Sequence, residues 1–172
     1  MVAREIRILF TGTPGCGKTT AVHTVGALAC QHARTTRRRT TTIGQDYAEL
    51  PLAGDIVLRC YGTPGQRRFA FIWELLARTA DGLIILVDET RPTPVADMEM
   101  YLENFHELVS AGAALVCVVK AASLDNTAVI SGLEERMQAM DLKVPLIFAD
   151  TRDRQDMLRV VDKLLQQLAA RS

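Results

Sequence analysis

A glycine-rich stretch close to the start of the chain has the residue types and the spacing needed to bind phosphate. Residues 12–20 read Gly-Thr-Pro-Gly-Cys-Gly-Lys-Thr-Thr, which matches the Gly-x-x-x-x-Gly-Lys-Ser/Thr pattern of a phosphate-binding loop. The glycines let successive backbone N–H groups point into one concavity, and the helix expected behind them adds its positive end. Lys18 is expected to reach the β- and γ-phosphates of a nucleotide, and the Thr19 hydroxyl to ligate Mg²⁺. The residues expected to contact the nucleotide here are Gly12, Thr13, Gly15, Cys16, Gly17, Lys18, Thr19 and Thr20.

Strand and helix patterns alternate around this loop and beyond it. Apolar strand patterns occupy residues 6–11, 47–52, 56–61, 82–88, 113–119 and 144–149. Helical patterns occupy residues 18–33, 69–79, 95–110, 128–140 and 153–170. The alternation predicts the α/β class, with a six-stranded, mostly parallel sheet between two layers of helices. The turn at residues 53–55 predicts one antiparallel edge strand, and because no linker or repeat interrupts the pattern, residues 1–172 are expected to form a single domain.

The composition argues against several classes of function. Hydrophobic residues make up 48% of the chain, charged residues make up 23%, and 20 basic side chains balance 20 acidic ones. Balanced charge predicts neither nucleic acid nor a membrane surface as a partner. The four cysteines form no Cys-x-x-Cys pair, so neither a zinc site nor a disulfide framework is expected. Since the sequence shows no signal peptide, long apolar run or lipidation motif, a cytoplasmic location without a direct membrane anchor is predicted.

Two later strings, taken together with the phosphate loop, carry a family resemblance. Residues 42–47 read Thr-Ile-Gly-Gln-Asp-Tyr, and residues 62–69 read Gly-Thr-Pro-Gly-Gln-Arg-Arg-Phe. In this order and spacing they resemble switch I of the Rab branch and switch II of the small Ras-like GTPases. The resemblance is nearest to the bacterial branch that includes the MglA-type gliding-motility switch and conservon-type predicted GTPases. It implies a Ras-like P-loop NTPase fold and a switch that binds GTP and GDP with Mg²⁺, hydrolyses GTP slowly and signals through protein partners, with Roadblock-type dimers as regulators.

The resemblance also implies a role for several residues outside the phosphate loop. Thr42 would ligate Mg²⁺ and touch the γ-phosphate, the Gly65 amide would donate to that phosphate, and Gln66 would orient the attacking water. Each short string is compatible with a plain polar loop or turn, and their order behind a phosphate loop is what favours a switch. Asp125 would accept hydrogen bonds from guanine, and the backbone N–H of Thr151 would meet the guanine O6.

The chain departs from the family pattern at two places. Gly62 stands where switch II ordinarily begins with an aspartate that holds a water on Mg²⁺, so we predict a weaker Mg²⁺ dependence or compensation from elsewhere. Asp88, which ends an apolar strand, is the obvious candidate to compensate for the missing aspartate. The alternative is that Asp88 is a plain surface residue at the end of a strand. Ala122 and Ser123 replace the residues that usually precede the guanine-reading aspartate, and Asp125 could instead cap the helix that follows. Two other functions therefore stay open: a pseudo-GTPase that binds without useful turnover, and a P-loop ATPase or kinase that uses Asp88.

A run of arginines precedes switch I. Arg39 lies three residues before Thr42, the offset at which the α subunits of heterotrimeric G proteins place a built-in arginine finger. An arginine there could neutralise charge that develops on the transferring phosphoryl group. A solvated basic loop is the alternative, and Arg67 and Arg68 are rivals for the catalytic role.

The segment after Gln66 is apolar around too much of its circumference for an ordinary surface helix. Residues 69–76 read Phe-Ala-Phe-Ile-Trp-Glu-Leu-Leu. One part of it is expected to pack on the sheet, and the rest, with Phe69 or Trp73, to be exposed to a regulatory protein when the switches order. The alternative is that the whole segment belongs to the core.

Overall fold

The structure is a computed structural model that describes residues 4–29, 46–119 and 126–171. Within these ranges the strands are β1 (Arg4–Gly12), β2 (Tyr47–Leu52), β3 (Ile56–Gly62), β4 (Gly82–Asp88), β5 (Ala114–Val119) and β6 (Leu146–Ala149). The helices are α1 (Lys18–Ala29), α2 (Ala70–Ala77), α3 (Pro94–Asn104), α4 (His106–Ser110), α5 (Thr127–Ala139) and α6 (Arg154–Ala170). A single 3₁₀ turn, Arg67–Phe69, precedes α2.

The strands form one six-stranded sheet in the order β2-β3-β1-β4-β5-β6. Only β2 runs antiparallel to its neighbour among these strands, and the pairs β3-β1, β1-β4, β4-β5 and β5-β6 are parallel. This confirms the α/β fold predicted from the sequence, including the antiparallel edge strand. Parallel strands bring their carboxyl ends to one edge of the sheet, where ligands bind in folds of this kind.

The apolar strands are buried because helices cover both faces of the sheet. Alternation along β1 carries Ile8 and Phe10 into one core cluster and Leu9 into the other. The first cluster receives side chains of α1 and α6, and the second receives side chains of α2, α3 and α5. Burial on both faces is the reason that β4 and β5 read as continuous apolar runs.

The structure differs from the predicted elements mainly at their ends. The helix predicted at residues 95–110 is broken at Phe105, whose φ of −109° and ψ of 29° leave the helical region while its ring is buried beside Trp73. The strand predicted to begin at residue 144 begins at Leu146, after a proline that has no N–H for the sheet. The last residues of the predicted 18–33 helix lie outside the described residues. Within the described ranges, no helix is both long enough and apolar enough to cross a membrane.

Candidate functional site

The loop between β1 and α1 adopts a backbone that requires glycine at three positions. Gly12, Gly15 and Gly17 have φ values of 149°, 78° and 101°, a region that side chains other than glycine rarely adopt. A Cβ on Gly12 would also lie 2.5 Å from the carbonyl oxygen of Leu86 and 2.6 Å from Cys16 Sγ. The predicted phosphate-loop glycines therefore occupy positions where only glycine fits without strain.

Lys18 closes this loop on itself. Its Nζ donates hydrogen bonds to the carbonyl oxygens of Gly12 and Thr13, both at 2.8 Å, and the residue is 9% exposed. Burial lowers the pKa of Lys18, while interactions with Cys16 and Asp46 act in the opposite direction. An ammonium group buried among neutral carbonyls is short of negative charge, so a bound phosphate would stabilise it.

Cys16 fills the inside of the loop. Its side chain is 3% exposed, and its Sγ lies 3.7 Å from Lys18 Nζ. Burial raises the pKa of this thiol above its ordinary value, although the Lys18 charge acts against that rise. A protonated thiol is a small apolar filler rather than a nucleophile. Thr20, in the first turn of α1, is partly exposed.

Thr19 is bound to a carboxylate that the sequence did not single out. Thr19 Oγ1 donates to Asp46 Oδ2 at 2.5 Å. A hydroxyl and a carboxylate are the hard oxygen donors that Mg²⁺ prefers, so these residues fit such an ion. The described residues contain no group of three or more His, Cys, Asp or Glu side chains that could hold a metal ion by themselves, so phosphate and water oxygens would complete its shell. Thr42, the other predicted metal ligand, lies outside the described residues.

The start of the predicted switch II packs directly on the phosphate loop. Thr63 Oγ1 donates to Thr11 Oγ1 at 2.8 Å, which joins β3 to β1 at their carboxyl ends. A Cβ on Gly65 would lie 2.7 Å from the Pro14 nitrogen and 2.8 Å from Lys18 Nζ. Gly65 therefore packs against the side of the loop that carries Lys18, where a third phosphate would bind. The close approach leaves no room for a side chain at position 65.

The catalytic candidates lie just beyond Gly65. Gln66 is exposed at the position that caps the 3₁₀ turn, and its side chain makes no capping hydrogen bond. Arg67 and Arg68 are exposed as well, and the Arg68 guanidinium lies 4.9 Å from the centre of the Phe69 ring. Arg39 lies outside the described residues. Gln66 is therefore available to a water or a partner on the open side of the loop.

Two buried aromatic side chains hold the carbonyl groups of this segment. Trp73 Nε1 donates to the carbonyl oxygen of Pro64 at 2.6 Å, and the Tyr101 hydroxyl donates to that of Gly65 at 3.0 Å. The two rings lie 5.1 Å apart between centroids, and Trp73 also stacks on Phe105 at 6.1 Å. Burial raises the pKa of Tyr101, so its hydroxyl stays protonated and able to donate. Aromatic side chains from α2 and α3 thus hold the backbone of the predicted switch II.

The exposed side chains of α2 differ from those predicted. Trp73 is only 2% exposed and Phe69 is partly buried, whereas Phe71 is 63% exposed and Leu75 is 59% exposed. The expectation of an exposed Trp73 is therefore wrong in this structure, because its indole packs between Tyr101 and Phe105 while the opposite side of the helix turns outward.

Thr151, which is predicted to contact the base, lies beside the phosphate loop. Its carbonyl oxygen accepts a hydrogen bond from Thr24 Oγ1 at 2.6 Å, and a Cβ on Gly17 would lie 3.0 Å from Thr151 Oγ1. The loop after β6 is thus hydrogen-bonded to α1 and lies close to the phosphate loop. Asp125, the other residue predicted to contact the base, lies outside the described residues.

Asp88 is engaged in a turn. Its Oδ1 accepts hydrogen bonds from the backbone N–H of Thr90 at 2.9 Å and from Thr90 Oγ1 at 2.6 Å. The strand that it ends, β4, borders β1 on the side away from β3. Asp88 is therefore engaged in local hydrogen bonds, whereas the carboxylate that contacts Thr19 belongs to Asp46. The hairpin predicted around residues 53–55 contained the signal, because its register places residue 46 opposite residue 62.

The sequence matches a family model and resembles two Ras-related proteins. A family model described as the ADP-ribosylation factor family matches residues 1–167. The Ras-related protein RabZ of Dictyostelium discoideum is 24% identical over 98 residues, which are 57% of this chain and 43% of RabZ. The Ras-related protein Rab-44 of Homo sapiens is 29% identical over 112 residues, which are 63% of this chain and 10% of Rab-44. The chain thus matches less than half the length of either relative. Neither match concerns the bacterial branch, which stays a prediction.

Proposed function

Because the chain belongs to the ADP-ribosylation factor family of Ras-like small GTPases, we propose that it is a molecular switch that binds GTP and GDP with Mg²⁺, hydrolyses GTP slowly and acts through protein partners. The observation that carries this proposal is the contact between Gly65 and the phosphate loop. A γ-phosphate beside Lys18 would meet the Gly65 segment, whereas a diphosphate would leave that space empty. The position of Gly65 can therefore report which nucleotide is bound.

The residues around the loop divide the proposed reaction between them. The loop amides and Lys18 bind and orient the phosphates, and Thr19 and Thr42 supply oxygens to Mg²⁺, which neutralises phosphate charge when it is bound. Gln66 orients the attacking water towards the γ-phosphate, and Arg39 stabilises the charge that develops on the transferring group. On the base side, Asp125 and the backbone N–H of Thr151 select guanine.

The partner is proposed to dock beside switch II. Phe71 and Leu75 are exposed on α2, directly after the segment that carries Gln66. Exposed apolar side chains next to a segment that moves are suited to a protein that recognises one nucleotide state. A Roadblock-type dimer that stimulates hydrolysis or exchange is the proposed regulator.

We expect purified protein to bind fluorescent GTP and GDP more tightly than fluorescent ATP, more tightly with Mg²⁺ than without it, and to release phosphate from GTP. The reason for the guanine preference is the pairing of one carboxylate with the N1–H and 2-amino group, which adenine does not offer. Preference for ATP would contradict the proposal and favour a P-loop ATPase. GTP binding without phosphate release, even with a partner present, would favour a pseudo-GTPase, the alternative suggested by Gly62.

We expect tryptophan emission to differ between the GDP form and the form with a non-hydrolysable GTP analogue. Trp73 is the single tryptophan of the chain, and its indole is hydrogen-bonded to Pro64 in switch II, so movement of that segment changes its surroundings. Emission spectra recorded with each nucleotide measure the effect, and Trp73→Phe is the control that removes the signal. Identical spectra in the two forms would contradict a moving switch II.

A further inference from the structure

Asp46 and Gly62 lie opposite each other at the end of the β2-β3 hairpin. The register pairs Tyr47 with Tyr61, and the Gly62 N–H donates to the Asp46 carbonyl oxygen at 2.9 Å. Asp46 and Gly62 are therefore the next opposed pair. Opposed residues of antiparallel strands direct their side chains to the same face, so a side chain at position 62 and the Asp46 carboxylate would compete for one place.

Gly62 is needed for the space it leaves rather than for backbone freedom. Its φ is not positive, so residues with a side chain could adopt its backbone conformation. A Cβ at this position, however, would lie 3.2 Å from both the Cβ and Oδ2 of Asp46. Glycine at position 62 thus leaves room for the Asp46 carboxylate.

The Asp46 carboxylate is directed at the residue that would ligate the metal. The Thr19 hydroxyl donates its proton to Asp46 Oδ2 at 2.5 Å, which leaves the oxygen lone pairs free for a cation. A carboxylate that accepts a hydrogen bond from a metal ligand is the usual means by which proteins orient such a ligand. Among the described residues, the other charged or titratable groups that face Asp46 are Lys18, which interacts with it electrostatically, and His23, whose Nε2 lies 4.0 Å from Oδ1.

We propose that Asp46 performs the task of the carboxylate missing from position 62, orienting Thr19 and holding a water of the Mg²⁺ that accompanies the nucleotide. The proposal rests on the proposed function, because Mg²⁺ would be bound together with GTP or GDP. The carboxylate that helps to retain the metal would then lie directly before β2 and not in switch II. Switch II can then move away after hydrolysis without removing a carboxylate from the metal site.

The test measures how much free Mg²⁺ is needed to retain fluorescent GDP against an excess of unlabelled GDP. We expect Asp46→Asn to raise the half-maximal Mg²⁺ concentration about tenfold, as removal of a residue that supports a metal ligand commonly does. Asp88→Asn is the matched control, because it neutralises a carboxylate that is engaged in a turn. In the double variant Asp46→Ala/Gly62→Asp, the carboxylate returns to the strand where the family usually carries it, and we expect Mg²⁺ retention to recover.

Each outcome bears on one claim. A raised Mg²⁺ requirement in Asp46→Asn alone, with recovery in the double variant, supports the role of Asp46. An unchanged Mg²⁺ curve for Asp46→Asn, or an equal shift in Asp88→Asn, would overturn it. Wild-type protein that binds no GDP at any Mg²⁺ concentration would instead contradict the proposed function, so the two failures are distinguishable. Binding of GDP by Asp46→Asn at saturating Mg²⁺ checks that the variant is folded.

Discussion

Replacement of Lys18 by methionine is expected to lower the affinity for GDP and GTP at least about 100-fold, which corresponds to about 2.8 kcal/mol. The Lys18 ammonium is buried between two loop carbonyls and is the charged donor nearest to the expected phosphates. Loss of charge-assisted hydrogen bonds of this kind costs about 1.5–3 kcal/mol each when the partner is charged. Dissociation constants for fluorescent nucleotides at fixed Mg²⁺ measure the effect.

The same substitution is expected to change the stability of the nucleotide-free protein far less. Methionine loses the two hydrogen bonds to Gly12 and Thr13, but it also removes an ammonium group whose burial lowers its pKa and is therefore unfavourable. Thermal unfolding without nucleotide measures this change in stability. Lys143→Met is the matched control, because Lys143 is exposed in the loop before β6. Unaltered nucleotide affinity in Lys18→Met would contradict the assignment of the loop.

Replacement of Gln66 by leucine is expected to slow GTP hydrolysis about 100-fold while nucleotide affinity stays nearly constant. Gln66 is exposed beside the loop and makes no capping hydrogen bond, so its removal costs little in the ground state. Its proposed contribution is to orient water in the transition state, where one lost polar contact commonly costs about 10²–10³ in rate. Single-turnover phosphate release, measured together with the GTP dissociation constant, separates the two effects.

Gln138→Leu is the control for Gln66→Leu, because Gln138 is exposed on α5 and the substitution has the same size. Both variants are expected to unfold at nearly the wild-type temperature, since each side chain is exposed. If Gln66→Leu turned over GTP at the wild-type rate, the proposed role of Gln66 in orienting water would be contradicted.

Local patterns were enough to predict most of the fold and the phosphate loop. The spacing of glycines and lysine in residues 12–18 specifies a strand, a turn and a helix in immediate succession, and Lys18 contacts loop atoms that are close to it in sequence. The alternation of apolar strands with helices specified the sheet, because each β-α unit is right-handed and places its strand beside an earlier one. Element ends were less accurate, as the break at Phe105 shows, because burial of that ring against Trp73 depends on a distant helix.

The sequence by itself determined that this chain has a phosphate loop followed by two switch-like strings, since those patterns are contiguous and their physical meaning is local. It also showed that an aspartate is missing at Gly62. Only the tertiary structure decided which distant residues meet at the site: Asp46 reaches Thr19 across 27 residues of chain, and Tyr101 reaches Gly65 across 36. Such contacts depend on strand register and helix packing. They are set by where the chain folds back on itself, and no single stretch of residues contains that information.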